Sequence, residues 1–233
     1  MNNEQPQLDL EEMTKAGLQF GHKKSRIHPR MKPYLFGVRN TIYIIDLEKT
    51  VDAFQAALRY VTQIARENKT MILVGTKTQF KALVRAAAEE MSVPYVSERW
   101  LGGTFTNFKV IKKRIDYFKE LERKKAVGEF DKYTKKEQAE IQKEIHDLDK
   151  KLGGIKNIEG MPEAIFVVDM IKDRLAVKEA RKNGVKVIGI TDVNVDPGTA
   201  DYPIIANDDA VSSIGYILNA VKGAYKAGKE APG

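Results

Sequence analysis

Short apolar runs rich in valine and isoleucine recur along the chain, and amphipathic stretches fill the gaps between them. Residues 41–46 (TIYIID), 70–75 (TMILVG), 164–169 (AIFVVD) and 185–191 (VKVIGIT) each read as a buried strand, and residues 94–97 as a shorter one. Strands this uniformly apolar need cover on both faces, as in a parallel sheet between helical layers. Residues 47–67 place Val51, Phe54, Ala57, Leu58, Val61 and Ile64 close to the 3.6-residue period of a helix. Residues 78–91, 172–183 and 208–227 behave alike, with Asn183-Gly184 as a helix stop. Five strands alternating with helices predict an α/β fold with a doubly wound, open parallel sheet.

One region departs from this alternation. Between Phe105 and Leu152 there is no strand-like run. Phe108, Ile111, Ile115 and Phe118 repeat at 3-4-3 spacing, and Ile141, Ile145, Leu148 and Leu152 at 4-3-4. Two such seams joined by a turn containing Gly128 predict an antiparallel helical hairpin with coiled-coil packing. The expected organisation is a sheet domain formed by 1–104 and 153–227, with a basic segment at 20–39. The hairpin is inserted at 105–152, and a frayed tail of small and charged residues follows, drawn from 222–233 and outside the domain at 228–233.

Charge sharpens the picture. Thirty-nine Lys and Arg against 32 Asp and Glu give +7 over 233 residues, so polyanions are the first partner to consider. The surplus is unevenly placed. Residues 1–12 hold four acids and no base, whereas residues 21–45 hold six bases and no acid. The hairpin, from Lys109 to Lys151, carries 14 bases against 10 acids, the mixed surface of a solvated coiled coil. The chain has no cysteine and three histidines, which excludes disulfide scaffolds, thiol nucleophiles and thiolate zinc sites. Its start lacks an apolar export core and no run approaches a membrane span, so a cytoplasmic location is expected.

Several stretches carry candidate chemistry. Gly75-Thr76-Lys77 follows a strand and can open a helix, but neither the Walker pattern nor the dinucleotide fingerprint is present. It reads first as a strand-to-helix turn, with Lys77 a candidate phosphate contact. Acyl transfer lacks both a Gly-x-Ser-x-Gly elbow and a cysteine. Asp46, Asp169 and Asp192 each follow a strand, and Asp196, Asp208 and Asp209 lie in later loops. In an open parallel sheet that edge binds ligands, and several acids there can hold Mg²⁺, or Zn²⁺ with a histidine. The same residues also suit plain structural work, Asp208 as a helix N-cap and Asp196-Pro197-Gly198 as a turn.

Two segments point to nucleic acid. In FGHKKSRIHPRMKPYLFGVR (20–39), Pro29 and Pro33 exclude a long helix, leaving an extended segment. Its candidate RNA contacts are His22, Lys23, Lys24, Arg26, His28, Arg30, Lys32 and Arg39, the cations pairing with phosphates and the rings stacking on unpaired bases. RWLGGTFTNFK (99–109) lies at the foot of the hairpin. There Gly102-Gly103 permits close backbone approach, and Arg99, Asn107, Lys109, Lys112, Lys113 and Arg114 form a second candidate interface. Trp100, taken alone, reads as a core residue.

Taken together, AGLQFGHKKSRIHPRMKPYLFGVRN, IIDLEKT, ILVGTKTQ, RWLGGTFTNFK, LGGIKNIEGMPEAIFVVD and TDVNVDP with YPIIANDDA resemble the family of the second protein of the bacterial small ribosomal subunit. The resemblance runs from about Met13 to Ala227. It implies a flavodoxin-like five-stranded parallel sheet with an inserted helical hairpin and no enzyme activity. It further implies a structural role on small-subunit ribosomal RNA near the head–body junction, beside other ribosomal proteins, and help in docking the first small-subunit protein. No cofactor is required. Some family members resemble metal binders, which would map a Zn or Mg site to His22, Asp192 and Asp208. The chain departs from the family at Gln19, where relatives have histidine, and at Thr191-Asp192-Val193, where they read Val-Asp-Thr. Both changes alter the surroundings that orient those ligands. Two rival readings remain: a nucleotide- or sugar-phosphate-binding enzyme built on Lys77 and the aspartate rim, and a protein-docking module built on the hairpin.

Overall fold

The structure, a computed structural model, describes residues 8–23 and 25–231. Asp9 caps a short first helix, α1 (Leu10–Lys15), by accepting from the Glu11 and Glu12 amides. Strand β1 (Phe20–Lys23), a 3₁₀ turn (Pro29–Tyr34), β2 (Leu35–Arg39) and β3 (Ile42–Ile45) follow. These strands form a small antiparallel sheet in the order β1-β3-β2. Residues 41–46, expected as a parallel strand of the main sheet, are therefore a hairpin strand instead. Asn40 and Thr41 both adopt positive φ (+49° and +68°), the two-residue turn whose twist suits an antiparallel pair. Only Ile45 on β3 is fully buried, so the apolar run covers one face of a sheet and not two.

The main sheet comprises β4 (Met71–Val74), β5 (Tyr95–Val96), β6 (Ala164–Val167), β7 (Lys186–Thr191) and β8 (Tyr202–Ile205), all parallel in the order β5-β4-β6-β7-β8. Counted along the chain this is 2-1-3-4-5, the flavodoxin-like order. Strand β8 escapes the apolar reading because Pro203 interrupts it. At the sheet edge that proline costs no ladder bond on the open side.

Alternate side chains of each strand enter two cores. Met71, Leu73, Phe166, Ile188 and Ile190 pack with α2 (Leu47–Arg66), α3 (Lys81–Met91) and α7 (Val211–Glu230). Ile72, Val74, Ile165, Val167 and Val187 pack on the opposite face with α6 (Arg174–Lys182) and the base of a helical hairpin, α4 (Phe108–Ala126) and α5 (Lys135–Leu152). In the hairpin Ile111, Ile115, Phe118, Ile145 and Leu152 are buried along the seam. Gly128 turns the chain at φ +71°, and Thr134 with Glu137 closes a capping box on α5. The C-terminal stretch is not frayed up to Glu230. Helix α7 lies so close to α2 that a side chain at the buried Gly228 would strike the Thr62 carbonyl and Ala65.

Candidate functional site

The carboxyl ends of four parallel strands meet in one cleft. Thr76 and Lys77 follow β4, Asp169 follows β6, Asp192 follows β7, and Asn207, Asp208 and Asp209 follow β8. His22 of β1, with Arg26 and His28 beyond it, closes the cleft from outside, leaving about 440 Å³. Gly21 makes that approach possible, since a Cβ there would lie 2.6 Å from Val193.

His22 is hydrogen-bonded at one ring nitrogen. Nδ1 donates to Asp192 at 2.7 Å, and Nε2 faces Asp209 Oδ2 at 3.4 Å. The Asp192 hydrogen bond raises the imidazole above its ordinary range, although burial opposes it. Asp208 is buried and its Oδ1 has no hydrogen-bond partner among the described residues. Burial, with Asp192 and Asp169 nearby, pushes its carboxyl up to about 8. Ligand atoms of His22, Asp208 and Asp209 all lie within 4.8 Å of one another. The structure thus gathers His22 with Asp208 and Asp209, and sets Asp192 behind the imidazole as the group that fixes its tautomer. Asp208 does not cap α7. The helix has Ala210 at its N-cap and no side-chain cap, while Asn207 accepts from the Asp209 and Ala210 amides just before it at 2.8 and 3.1 Å. Asp46 lies elsewhere, before α2, paired with Lys49 at 2.8 Å.

Lys77 is not a free phosphate ligand. Its ammonium bridges Asp169 at 3.0 Å and Asp209 at 2.5 Å; burial, the largest single effect, lowers its pKa, but the surrounding carboxylates together outweigh it and hold the pKa above the ordinary lysine range. Gly75 is a packing glycine, because a Cβ would meet Val84 at 2.6 Å. Thr76 donates twice to buried Asp173, from its amide at 3.1 Å and its hydroxyl at 2.6 Å. A phosphate here would face several carboxylates and an already neutralised lysine.

The early cations divide. Arg30 is paired with Asp196 at 2.9 Å. Lys23, Arg26, Lys32 and Arg39 are exposed, and no described carboxylate lies within ion-pair distance of them. His28 is half-buried and accepts from the Arg30 amide. Lys24 lies outside the described residues. At the hairpin base Arg99, Asn107, Lys109, Lys113 and Arg114 are exposed, while half-buried Lys112 reaches the Ile158 carbonyl at 3.4 Å and Asp116 at 3.7 Å.

Between those two regions, Trp100 is buried and stacks edge-on against Phe105 with ring centroids 4.9 Å apart. The close approach that Gly103 permits, at φ +94°, is made by this chain's own Glu179. Its carboxylate accepts from the Gly103, Phe105 and Thr106 amides at 2.7, 2.9 and 3.3 Å. Sequence reading missed Glu179 and Asp173 because a helical acid gives no sign of which backbone it will meet. Asp209 carried a signal, standing in NDDA beside Asp208, but the second aspartate was not set apart as a ligand.

A sheet edge occupied by its own ion pairs, a cationic strip without described carboxylate partners and a helical hairpin are the features of a structural binding protein. A family model described as Ribosomal protein S2 matches residues 13–228. Proteins named small ribosomal subunit protein uS2 are similar over nearly the whole chain. That of Coprothermobacter proteolyticus is 42% identical over 96% of this chain and 83% of its own length. That of Psychrobacter sp. (strain PRwf-1) is 43% identical over 99% and 88%, and that of Hahella chejuensis 42% over 92% and 85%. The chain belongs to the ribosomal protein S2 family of small-subunit structural proteins.

Proposed function

We propose that this protein is held in the small subunit by ribosomal RNA, which supplies the counter-charge for its early cationic strip. The observation that carries this reading is the exposure of Lys23, Arg26, Lys32 and Arg39 without a described carboxylate partner, on a segment anchored to the sheet. Arg99, Asn107, Lys109, Lys113 and Arg114 extend the contact along the foot of the hairpin. His22, Lys77 and Arg30 drop out as phosphate ligands, being engaged by carboxylates. Without an RRM or KH signature, recognition rests on RNA shape and phosphate contacts. The hairpin at 105–152 serves as a separate arm toward neighbouring ribosomal proteins, and the assembled protein helps dock the first small-subunit protein of cytoplasmic ribosomes. The enzyme reading is disfavoured by the neutralised Lys77.

Within the same reading, His22, Asp208 and Asp209 hold a divalent cation. The donor set fits: one imidazole nitrogen left free by the Nδ1 bond, and a buried carboxylate oxygen in need of a partner. A nitrogen donor favours Zn²⁺ over Mg²⁺, which prefers oxygen. Bound there, the cation would tie the early segment to the sheet and perform no reaction.

The test is co-sedimentation of tagged protein with small subunits across a salt titration. Wild type should remain bound at moderate salt, and Lys23→Ala/Arg26→Ala/Lys32→Ala should dissociate earlier. Equal retention of both proteins at every salt concentration would refute the RNA contact.

A further inference from the structure

Helix α6 presents a second surface, independent of the early cationic strip. Of its two acid neighbours, Asp173 is turned inward onto Thr76 and Glu179 onto the 103–106 backbone. Its outer side therefore shows Arg174, Lys178 and Arg181, all exposed and with no described carboxylate at ion-pair distance. Asp201, near enough to feel Arg181, is already paired with Lys186 at 2.8 Å. Beside this row runs a groove of about 530 Å³ between α6 and the 194–199 loop. Buried Met170, Val177 and Val195 form its floor, and Ile171, 48% exposed, its lip. Asn194 also lines it.

We propose that this groove receives an acidic amphipathic helix of a partner protein. Aliphatic side chains of the partner cover the floor, and its carboxylates meet the cation row. Arg174, Lys178 and Arg181 stand at i, i+4 and i+7, so they share one stripe about 10 Å long and match carboxylates at the same spacing on a facing helix. RNA is the poorer occupant, because no aromatic ring lines the groove for a base to stack on and the floor is aliphatic. The groove's one acid, Asp196, is already paired with Arg30, so the charge it offers a partner is cationic, and an apolar groove with such a rim suits an acidic amphipathic helix.

The experiment uses the full chain and three probes: a synthetic helical peptide with leucine on one face and glutamate on its flanks, a scrambled peptide of equal composition, and a 12-mer of uridine. Calorimetry should show the helical peptide binding at least about tenfold more tightly than the scrambled one. Arg174→Glu/Lys178→Glu/Arg181→Glu should weaken it by about tenfold or more, as expected for three rim pairs worth up to about 1 kcal/mol each. Ile171→Ser should weaken it without touching a charge, while Arg59→Glu on α2, equally exposed, should leave it unchanged. Circular dichroism confirms that each variant folds. Equal binding of the scrambled peptide reduces the effect to bulk charge and overturns the proposal. So does displacement of the helical peptide by the uridine 12-mer with loss of the 12-mer's own affinity in the charge-reversed protein. Because Lys23, Arg26 and Lys32 lie outside this groove, their alanine variants should bind the peptide normally, which separates this result from the fate of the RNA contact.

Discussion

The Nδ1–H of His22 donates to the Asp192 carboxylate at 2.7 Å, a bond between residues 170 apart in the chain. It joins the small antiparallel sheet to the loop after β7 and leaves Nε2 facing Asp209. An acceptor on one ring nitrogen assigns the proton there and makes the other nitrogen the ligand.

That assignment orders the metal-site variants. His22→Ala and Asp208→Asn should each abolish tight Zn²⁺ binding measured by competition with a chromophoric chelator. Asp192→Asn, which retains an acceptor but loses its charge, should weaken Zn²⁺ by about 10–100-fold. Wild-type-like binding in all three proteins would remove the site.

The early cations should also differ individually. Lys32→Ala should lower the salt dependence of RNA binding by about one unit of slope, since it removes a free cation. Arg30→Ala should leave that slope unchanged, because its guanidinium is engaged by Asp196. Its cost appears instead as up to about 1 kcal/mol of stability, the range for an exposed pair. A filter-binding titration at several salt concentrations checks both, and equal slopes for the two variants would contradict the division.

Much of the architecture was legible because burial is written in composition. Ile72, Val74, Ile165 and Val167 had to be covered on both sides, and the 3-4-3 seam from Phe108 to Phe118 had to meet a partner. The 41–46 run misled because half-buried and fully buried strands share the same residues; the turn at Asn40-Thr41 decides which sheet they join. At the site, single-residue identity was not enough. Lys77 and Arg30 look like phosphate ligands until the chain brings Asp169, Asp209 and Asp196 against them. Those partners stand 92, 132 and 166 positions away, beyond the reach of any local pattern.

Glu179 should be a structural keystone of the 103–106 turn. The residue is 5% exposed, and its carboxylate serves three backbone donors. Glu179→Gln replaces one oxygen with an NH₂ that faces N–H groups, leaving buried donors unmet. Urea denaturation should show a loss of about 2–4 kcal/mol. A change within experimental error would mean the turn holds without it.

The α2–α7 contact sets a steric limit. A Cβ at Gly228 meets the Thr62 carbonyl and Ala65, both on the opposing helix, so Gly228→Ala must push the helices apart. The expected cost is about 1–3 kcal/mol, despite alanine's better helix propensity. Gly223, also on α7, has open space around its Cβ position. Gly223→Ala should therefore be stabilising, and the two melting temperatures should move in opposite directions.

Asp173 gives a pH dependence with a definite sign. Burial raises its carboxyl above the ordinary range, against the lowering effect of the Thr76 hydroxyl and amide. The folded protein therefore holds this proton over a window in which the unfolded chain has released it. Stability contributed by the protonated group is complete below the ordinary carboxylate range and declines as pH rises through that window to the folded pKa. Asp173→Asn keeps an acceptor for the Thr76 amide and lets the hydroxyl reverse its role, yet has no proton to lose. Urea titrations from pH 3 upward should show the wild-type minus variant stability falling as pH rises through that window and constant above it. A difference that is flat across the whole range would show that Asp173 titrates alike folded and unfolded.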